Sequence, residues 1–192
     1  MLHPPRSVGY GARDPWTDAG GEERNAVLID NGRTYLPNST WCFVCGEDNP
    51  AGLKARFYVE DGVVKVPMAA APHHCGYPNA VHGGVVAAAL DECMGWAAAR
   101  AVLRMCVTAE LKVRYVRRVP TDIDLTVCGT VKEVHKRYVL AKGEIVDGEG
   151  TVYARSEGKF FPLTKEQTLE VDDQLLYRGG EERVFQPLRE AD

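Results

Sequence analysis

A run of apolar residues between positions 85 and 103 dominates the hydrophobic pattern of this chain. Almost every position in it is Ala, Val, Leu, Met, Gly, Cys or Trp, and its charged residues are Asp91, Glu92 and Arg100. A helix that is apolar on nearly all sides is typical of a protein core. The pattern therefore predicts one long core helix that carries a carboxylate near its middle.

Segments of alternating apolar and polar residues on either side of this run predict β-strands. Residues 53–59 and 63–68 flank the turn signal Asp61-Gly62, which favours a hairpin before the helix. Behind the helix, residues 107–116 alternate strictly, which predicts a long strand that is buried on one face. The buried face would carry Val107, Ala109, Leu111, Val113 and Tyr115, and the opposite face Thr108, Glu110, Lys112 and Arg114.

Three further strands are predicted at residues 123–134, 138–146 and 151–162. Short turns at Lys136-Arg137 and at residues 147–150 join them, and tight turns between consecutive strands indicate antiparallel pairing. About six strands and one apolar helix together predict an α+β domain in which an antiparallel sheet curls around the helix.

The size and composition of the chain fit one such domain with an extension at each end. Its 192 residues are 45% hydrophobic, which is enough for a core. Residues 1–40 are rich in Gly, Pro, Asp and Arg and have little periodicity, so they predict an N-terminal extension. The domain itself is predicted at residues 41–163, and residues 164–192 are predicted to form a charged C-terminal tail.

Charge and targeting signals narrow the possible partners. The formal net charge of −4 gives no support for a nucleic-acid partner. Residues 1–11 lack the apolar core of a signal peptide, and the central apolar run is too rich in Gly, Ala and acids to predict a membrane span. We therefore expect a cytoplasmic protein without a membrane partner. The six cysteines are expected to be reduced, because a domain of this size needs no crosslinks.

Cys42 and Cys45 form one C-x-x-C pair, and a zinc ribbon has two such pairs. His73, His74 and Cys75 are the residues that could complete such a site. Because no second C-x-x-C follows, the sequence favours packing thiols over a metal site. It predicts neither a metal ion nor another cofactor.

Two glycines stand at the start of the predicted helix. The first N–H groups of a helix lack intrahelical partners, and the missing side chains of Gly83 and Gly84 would let a ligand oxygen approach these donors. Asp91 lies on the same helix, so the pattern favours a general base or nucleophile acting on a carbonyl. The imidazole of His82 would either fix the loop by hydrogen bonding or touch the substrate.

Several motifs between residues 41 and 163 combine into a specific pattern. The segment His82-Gly83-Gly84 is followed by an acid, Asp91, eight residues after its first glycine, and then by a T-A-x-L-x-V-x-Y strand that begins at Thr108. Cys45-Gly46, Asn49-Pro50-Ala51-Gly52-Leu53 and Glu157-Gly158-Lys159-Phe160 extend the match. With these motifs the chain resembles the hotdog-fold acyl-CoA thioesterases, in particular the PaaI-like branch of the thioesterase superfamily.

The resemblance implies an acyl-CoA substrate and a role for each matching residue. Gly83 matches the glycine whose N–H polarises the thioester carbonyl, and Asp91 matches the acid that activates water or attacks directly. Thr108 matches a threonine that positions the water or the acid in some members. Because the family places its active sites at subunit interfaces, we expect a homodimer or homotetramer in which Gly83 and Asp91 of one site come from different chains.

The resemblance indicates the substrate-binding residues less clearly than the catalytic ones. Some members carry Asn or Gln where this chain has Gly76, which leaves that role to His82, to Asn79 or to no residue. The phosphates of coenzyme A need charge-assisted donors, and Arg117 and Arg137 are favoured for this role. The candidates from which they are chosen are Arg114, Arg117, Arg118, Lys136 and Arg137.

Two other functions are compatible with the same fold. A non-catalytic acyl-CoA binding or sensing domain would keep the pocket without turnover, and a hydratase or dehydratase would need an imidazole that only His82 could supply near the motif. Retention of Asp91 and Thr108 favours hydrolysis. Glu92, which is offset from Asp91 by about 100° around the helix, is interpreted as a solvent or interface charge.

Overall fold

A seven-stranded antiparallel sheet packs against one long helix. The structure, a computed structural model, describes residues 32–68 and 70–191. The long helix α1 spans Gly83–Val102, and two short helices, α2 and α3, span Lys165–Asp172 and Gln186–Glu190. The strands are β1 (Thr34–Tyr35), β2 (Tyr58–Glu60), β3 (Val63–Pro67), β4 (Cys75–Tyr77), β5 (Ala80–Val81), β6 (Cys106–Tyr115), β7 (Leu125–Val134), β8 (Val139–Asp147) and β9 (Val152–Pro162).

The strand order in the sheet is β1-β2-β3-β7-β8-β9-β6, and β4 and β5 form a separate two-stranded ribbon ahead of α1. Asp61 and Gly62 both adopt positive φ angles in the turn between β2 and β3, as the turn signal predicted. The α+β class and the single core helix are confirmed. The hairpin is shorter than expected, because residues 53–57 pair only by isolated hydrogen bonds to neighbouring loops, for example from Leu53 N to Phe43 O at 2.9 Å.

Helix α1 lies directly on the backbone of the sheet. A Cβ atom at Gly129 of β7 would come within 2.6 Å of the carbonyl oxygen of Cys93, so only glycine permits this approach. A Cβ atom at Gly143 of β8 would meet the Met94 side chain at 3.1 Å. Cys93 and Met94 are fully buried at this contact. Among the described residues, no helix combines the length and apolarity that a membrane span requires.

A β-bulge at Ala109 changes which face of β6 points toward the helix. Thr108 pairs with Phe160 but Glu110 pairs with Lys159, so Ala109 has no partner of its own. Side chains on directly opposed residues share a face of the sheet, and Phe160 is buried under α1. The extra residue therefore turns Thr108 toward the helix, together with Leu111, Val113 and Tyr115. The strict alternation predicted for this strand is wrong at its start, and Val107 lies on the outer face.

Residues 35–38 and 176–182 meet beside the core, where Leu176 N donates to Asn38 O and Glu182 N donates to Tyr35 O, both at 2.8 Å. Residues 1–31 of the predicted extension lie outside the described residues, but β1 pairs with β2 and Leu36 is buried. The segment predicted as a charged tail contains α2 and α3, and Glu182 accepts a bidentate ion pair from Arg100 of α1 at 2.9 and 3.2 Å. The domain boundaries at residues 41 and 163 remain predictions, since folded residues continue on both sides of them.

Phe185 joins the C-terminal segment to the main core. Its side chain is 0% exposed, and its ring stacks on Trp96 of α1 with centroids 6.4 Å apart. Trp96 is itself 5% exposed, so both rings belong to the core. Asp172 of α2 is also buried and accepts hydrogen bonds from Arg189 at 2.8 and 2.6 Å, which links α2 to α3.

We expect Phe185→Ala to lower the free energy of unfolding by about 3–5 kcal/mol, because it removes a fully buried ring and leaves a cavity against Trp96. Urea denaturation of the full chain, followed by tryptophan fluorescence, measures this loss. Phe161→Ala is the matched control, since Phe161 is 36% exposed. A loss of less than about 1 kcal/mol in Phe185→Ala would show that the C-terminal segment is not part of the cooperative core.

Candidate functional site

The carboxylate of Asp91 is held in the middle of α1 by a strand residue. Thr108 Oγ1 donates a hydrogen bond of 2.8 Å to Asp91 Oδ1, a contact made possible by the bulge at Ala109. Asp91 is half-buried. Burial raises the pKa of Asp91, and the hydrogen bond from Thr108 offsets part of this rise. A carboxylate whose pKa is shifted upward in a cavity wall is suited to accept a proton during a reaction.

The cavity beside this pair has a volume of about 350 Å³. Besides Asp91 and Thr108, its wall includes Glu92, Trp96 and Met105, so one polar corner faces an otherwise largely apolar surface. Small-molecule sites commonly combine such an apolar lining with a few convergent polar groups. Its size falls within the range of ligand pockets, which is about 300–1,000 Å³.

The start of α1 leaves one backbone donor available. His82 is the N-cap residue, and its Nδ1 accepts a hydrogen bond of 3.0 Å from Gly84 N. Val85 N and Val86 N donate to the carbonyl oxygen of His82 at 2.9 and 3.1 Å. Among the described hydrogen bonds, the amide of Gly83 has no acceptor. Because the helix dipole is positive here, this N–H is a suitable donor for a carbonyl oxygen.

Tyr115 reaches the same helix end from β6, which the sequence did not indicate. Its hydroxyl donates a hydrogen bond of 2.7 Å to Gly83 O and lies 3.3 Å from the position of a Cβ atom at Gly83. The alternation of β6 predicted a buried Tyr115, but its side chain is 52% exposed. Tyr115, His82 and Gly83 line a cavity of about 550 Å³.

The two halves of the candidate site are separated within one chain. Gly83 and Asp91 lie eight residues apart on α1, which corresponds to about 12 Å along the helix axis. They also line different cavities. One thioester group, only a few atoms across, cannot contact both residues of the same chain.

Of the four residues expected to bind substrate, two lie at or near the start of α1 and two line neither cavity. Gly84 is exposed at the helix start, but its amide is bound to His82. Arg117 lines the cavity at Gly83 and donates a 2.7 Å hydrogen bond to Val152 O. Asn79 has a positive φ of 56° in the turn between β4 and β5, and it lines neither cavity. Arg137 lies in the turn between β7 and β8, also away from both cavities.

Glu92 is half-buried against two cysteines, so its interpretation as a solvent charge is wrong, and the alternative of an interface charge stays a prediction. Its carboxylate contacts Cys45 Sγ at 3.2 Å and Cys42 Sγ at 3.4 Å. The offset of about 100° from Asp91 points it toward the loop that precedes β2. Sequence reasoning missed this cluster because Glu92 and the two cysteines lie about fifty residues apart in the chain.

The close approach of three acidic groups shifts their pKa values. Burial is the main cause that raises the pKa of Glu92 to about 8. Hydrogen bonds from the thiol of Cys45 and from backbone amides lower the pKa of Cys42 to about 5. The bond to Cys42 and burial raise the pKa of Cys45.

His73, His74 and Cys75, the residues considered for completing a zinc site, do not join this cluster. His74 is buried, and its two ring nitrogens contact Ala71 N at 3.0 Å and Ala51 O at 3.1 Å. Within the described residues, the group of potential metal ligands that lies close together consists of Cys42, Cys45 and Glu92.

Comparison with known proteins agrees with this architecture. A family model described as the thioesterase superfamily matches residues 78–154. The crystal structure of a thioesterase superfamily protein is 32% identical, with a TM-score of 0.58, and the match covers 62% of each chain. This chain thus spans about three fifths of that relative's length. No curated protein matches significantly.

A more distant structure shows the same fold. The PaaI protein from the phenylacetic acid degradation operon of E. coli is 18% identical, with a TM-score of 0.53, over 58% of this chain and 81% of that one. The matched family segment, residues 78–154, contains the glycines at the start of α1, the acid Asp91 and the threonine Thr108. The chain therefore has the hotdog fold, and the resemblance to the thioesterase superfamily that its motifs predicted is confirmed.

Proposed function

We propose that this protein hydrolyses acyl-CoA thioesters. The observation that carries the proposal is the half-buried Asp91 carboxylate, which Thr108 holds at 2.8 Å in a cavity wall. Burial raises its pKa, which makes it a stronger base than an exposed aspartate. The similarity to the thioesterase superfamily supports the same chemistry, because the matched segment contains this pair.

In the proposed reaction, the thioester carbonyl accepts a hydrogen bond from the amide of Gly83, for which the described part of the chain provides no acceptor. As negative charge develops on that oxygen, the N–H and the positive helix end stabilise it. Asp91 acts as the general base or as the nucleophile. As a base it takes a proton from water while the water oxygen bonds to the carbonyl carbon; the carbon–sulfur bond then breaks, and the proton passes to the leaving thiolate.

In this proposal, residues from two copies of the chain form one complete site. The separation of about 12 Å between Gly83 and Asp91 along α1 requires a second copy to bring them to one thioester. Strand β6 is one of the two edges of the sheet, opposite β1, and its Leu111 and Tyr115 are exposed. An unpaired edge with exposed apolar residues favours pairing with another chain. We propose a homodimer, or a homotetramer built from such dimers.

The phosphate end of coenzyme A would lie near the start of α1. Arg117 and Arg118 both line the cavity that contains Gly83, and guanidinium groups suit phosphate oxygens. Arg117 is thus supported as a substrate-binding residue. The same role for Asn79 and Arg137 stays a prediction from the sequence.

A turnover screen of the purified full chain tests the function. Acyl-CoAs of short, medium and long aliphatic chains and aromatic acyl-CoAs are incubated with the protein, and released thiol is measured. Hydrolysis of at least one of them is expected. Saturable binding of acyl-CoAs without thiol release would instead favour the binding or sensing domain, and hydration of an enoyl-CoA without thiol release would favour the hydratase.

Thr108→Val is expected to move the acidic limb of the pH profile of kcat/KM to higher pH. The reaction needs the deprotonated Asp91, and the hydrogen bond from Thr108 lowers its pKa. Removing the hydroxyl therefore raises the pKa, so activity is lost at a higher pH as the solution is acidified. Thr130→Val is the matched control, because Thr130 lines a different cavity on β7. A shift of the limb to lower pH, or an equal shift in the control, would contradict this role.

A further inference from the structure

We propose that Cys42, Cys45 and Glu92 bind one zinc ion. The two sulfur atoms and the nearest carboxylate oxygen all lie within 4.8 Å of one another. These three side chains come from two separate parts of the chain, the loop before β2 and the middle of α1. Cys45 is buried, and Cys42 and Glu92 are half-buried, so the group is largely shielded from solvent.

The distances between these atoms suit a tetrahedral ion. With bonds of about 2.3 Å to sulfur and about 2.0 Å to oxygen, tetrahedral angles place sulfur and oxygen about 3.5 Å apart. The observed separations are 3.2 Å from Cys45 Sγ and 3.4 Å from Cys42 Sγ to the carboxylate. The two sulfur atoms lie within 4.8 Å of each other, and a tetrahedral ion needs about 3.8 Å between them, so movements of at most about 1 Å would seat the ion.

The loop orients both sulfur atoms with backbone amides. Val44 N and Cys45 N donate to Cys42 Sγ at 3.2 and 3.5 Å, and Ser39 N donates to Cys45 Sγ at 3.5 Å. Such donors stabilise thiolates and fix the direction of ligands to a metal. The turn itself needs Gly46, because a Cβ atom there would come within 2.2 Å of Cys42 O.

The donor set selects the metal. Two thiolates and one carboxylate carry three negative charges, and none of the ion pairs formed by the described residues includes Glu92. Thiolates bind zinc well, whereas magnesium and calcium prefer oxygen ligands alone. Three protein ligands leave a fourth position, and Cys45 and Glu92 line the cavity that also contains Asp91. Water or a solute in this cavity would complete the tetrahedron.

Metal binding by the full chain tests the inference. The protein is purified under reducing conditions, stripped with a chelator and titrated with zinc against a chromogenic chelator. We expect one zinc per chain. Cobalt(II) is expected to give thiolate charge-transfer absorption and the intense visible absorption of a four-coordinate ion. Cys42→Ser, Cys45→Ser and Glu92→Gln should each weaken zinc binding, the serine variants by about 100-fold or more.

Cys75→Ser is the matched control and should keep one zinc per chain, because Cys75 lies outside the cluster. Less than stoichiometric zinc in the stripped and titrated wild-type protein, with both thiols reduced, would overturn the proposal. Loss of zinc in Cys75→Ser, or a six-coordinate cobalt spectrum, would overturn the assigned ligands. Because none of these measurements uses turnover, their failure is distinct from failure of the thioesterase proposal.

Discussion

Replacing Asp91 by asparagine is expected to lower kcat by about 10²- to 10⁴-fold, the usual effect of removing a positioned base. The amide cannot take a proton from water, but it can still accept the hydrogen bond that Thr108 donates at 2.8 Å. The fold and acyl-CoA binding should therefore be retained. Steady-state kinetics with the best acyl-CoA of the screen, together with thermal unfolding, measure both properties.

Asp122→Asn serves as the matched control, because it removes the same charge at an exposed position outside both cavities. Its kcat should stay within a factor of about two of the wild-type value. Near-normal turnover by Asp91→Asn would reject the assignment of this residue. A large loss in both variants would indicate a general effect of charge rather than a catalytic role.

Two inactive variants are expected to restore activity to each other when they form heterodimers. If Gly83 of one chain and Asp91 of its partner serve one thioester, a Gly83→Val chain paired with an Asp91→Asn chain contains one intact site and one doubly defective site. Counting sites predicts about half of the wild-type activity per dimer. Valine at position 83 obstructs the approach of a ligand to the helix amide.

Co-expression with two affinity tags isolates these heterodimers, and thiol release measures their activity. The control is a dimer in which both chains are Asp91→Asn and each chain carries one of the two tags. It controls for effects of tagging and should stay inactive. Persistent inactivity of a folded mixed heterodimer would reject the two-chain site. The catalytic role of Asp91 would then be decided by the kcat of Asp91→Asn alone.

The regular elements of this fold follow from local sequence patterns. The long apolar run predicts α1, which spans 20 residues. The turn signal Asp61-Gly62 predicts the hairpin, because both residues tolerate positive φ angles. The turn at residues 147–150 is equally local, since Asp147 accepts hydrogen bonds from Glu149 N and Thr151 N. Signals of this kind act over a few residues and need no knowledge of the tertiary fold.

The details of the site depend on contacts that alternation alone does not encode. Nothing in the composition of β6 distinguishes a bulge at Ala109 from regular pairing, yet the bulge decides that Thr108 meets Asp91. The alternation of β6 predicted Thr108 on the face away from the core. Only the family resemblance implied that Thr108 is a site residue. The cysteine cluster was missed for a similar reason, because its third member, Glu92, is brought there by the packing of α1 on the sheet.

The close contact between Gly129 and the backbone of Cys93 has a consequence for engineering. With 2.6 Å between a hypothetical Cβ atom and the Cys93 carbonyl, any side chain at position 129 would have to push α1 away from β7. Position 129 thus sets how closely α1 lies on the sheet. An engineered change in the shape of the cavity at Asp91 would therefore be made through side chains of its wall, such as Met105 and Val107, with Gly129 left in place.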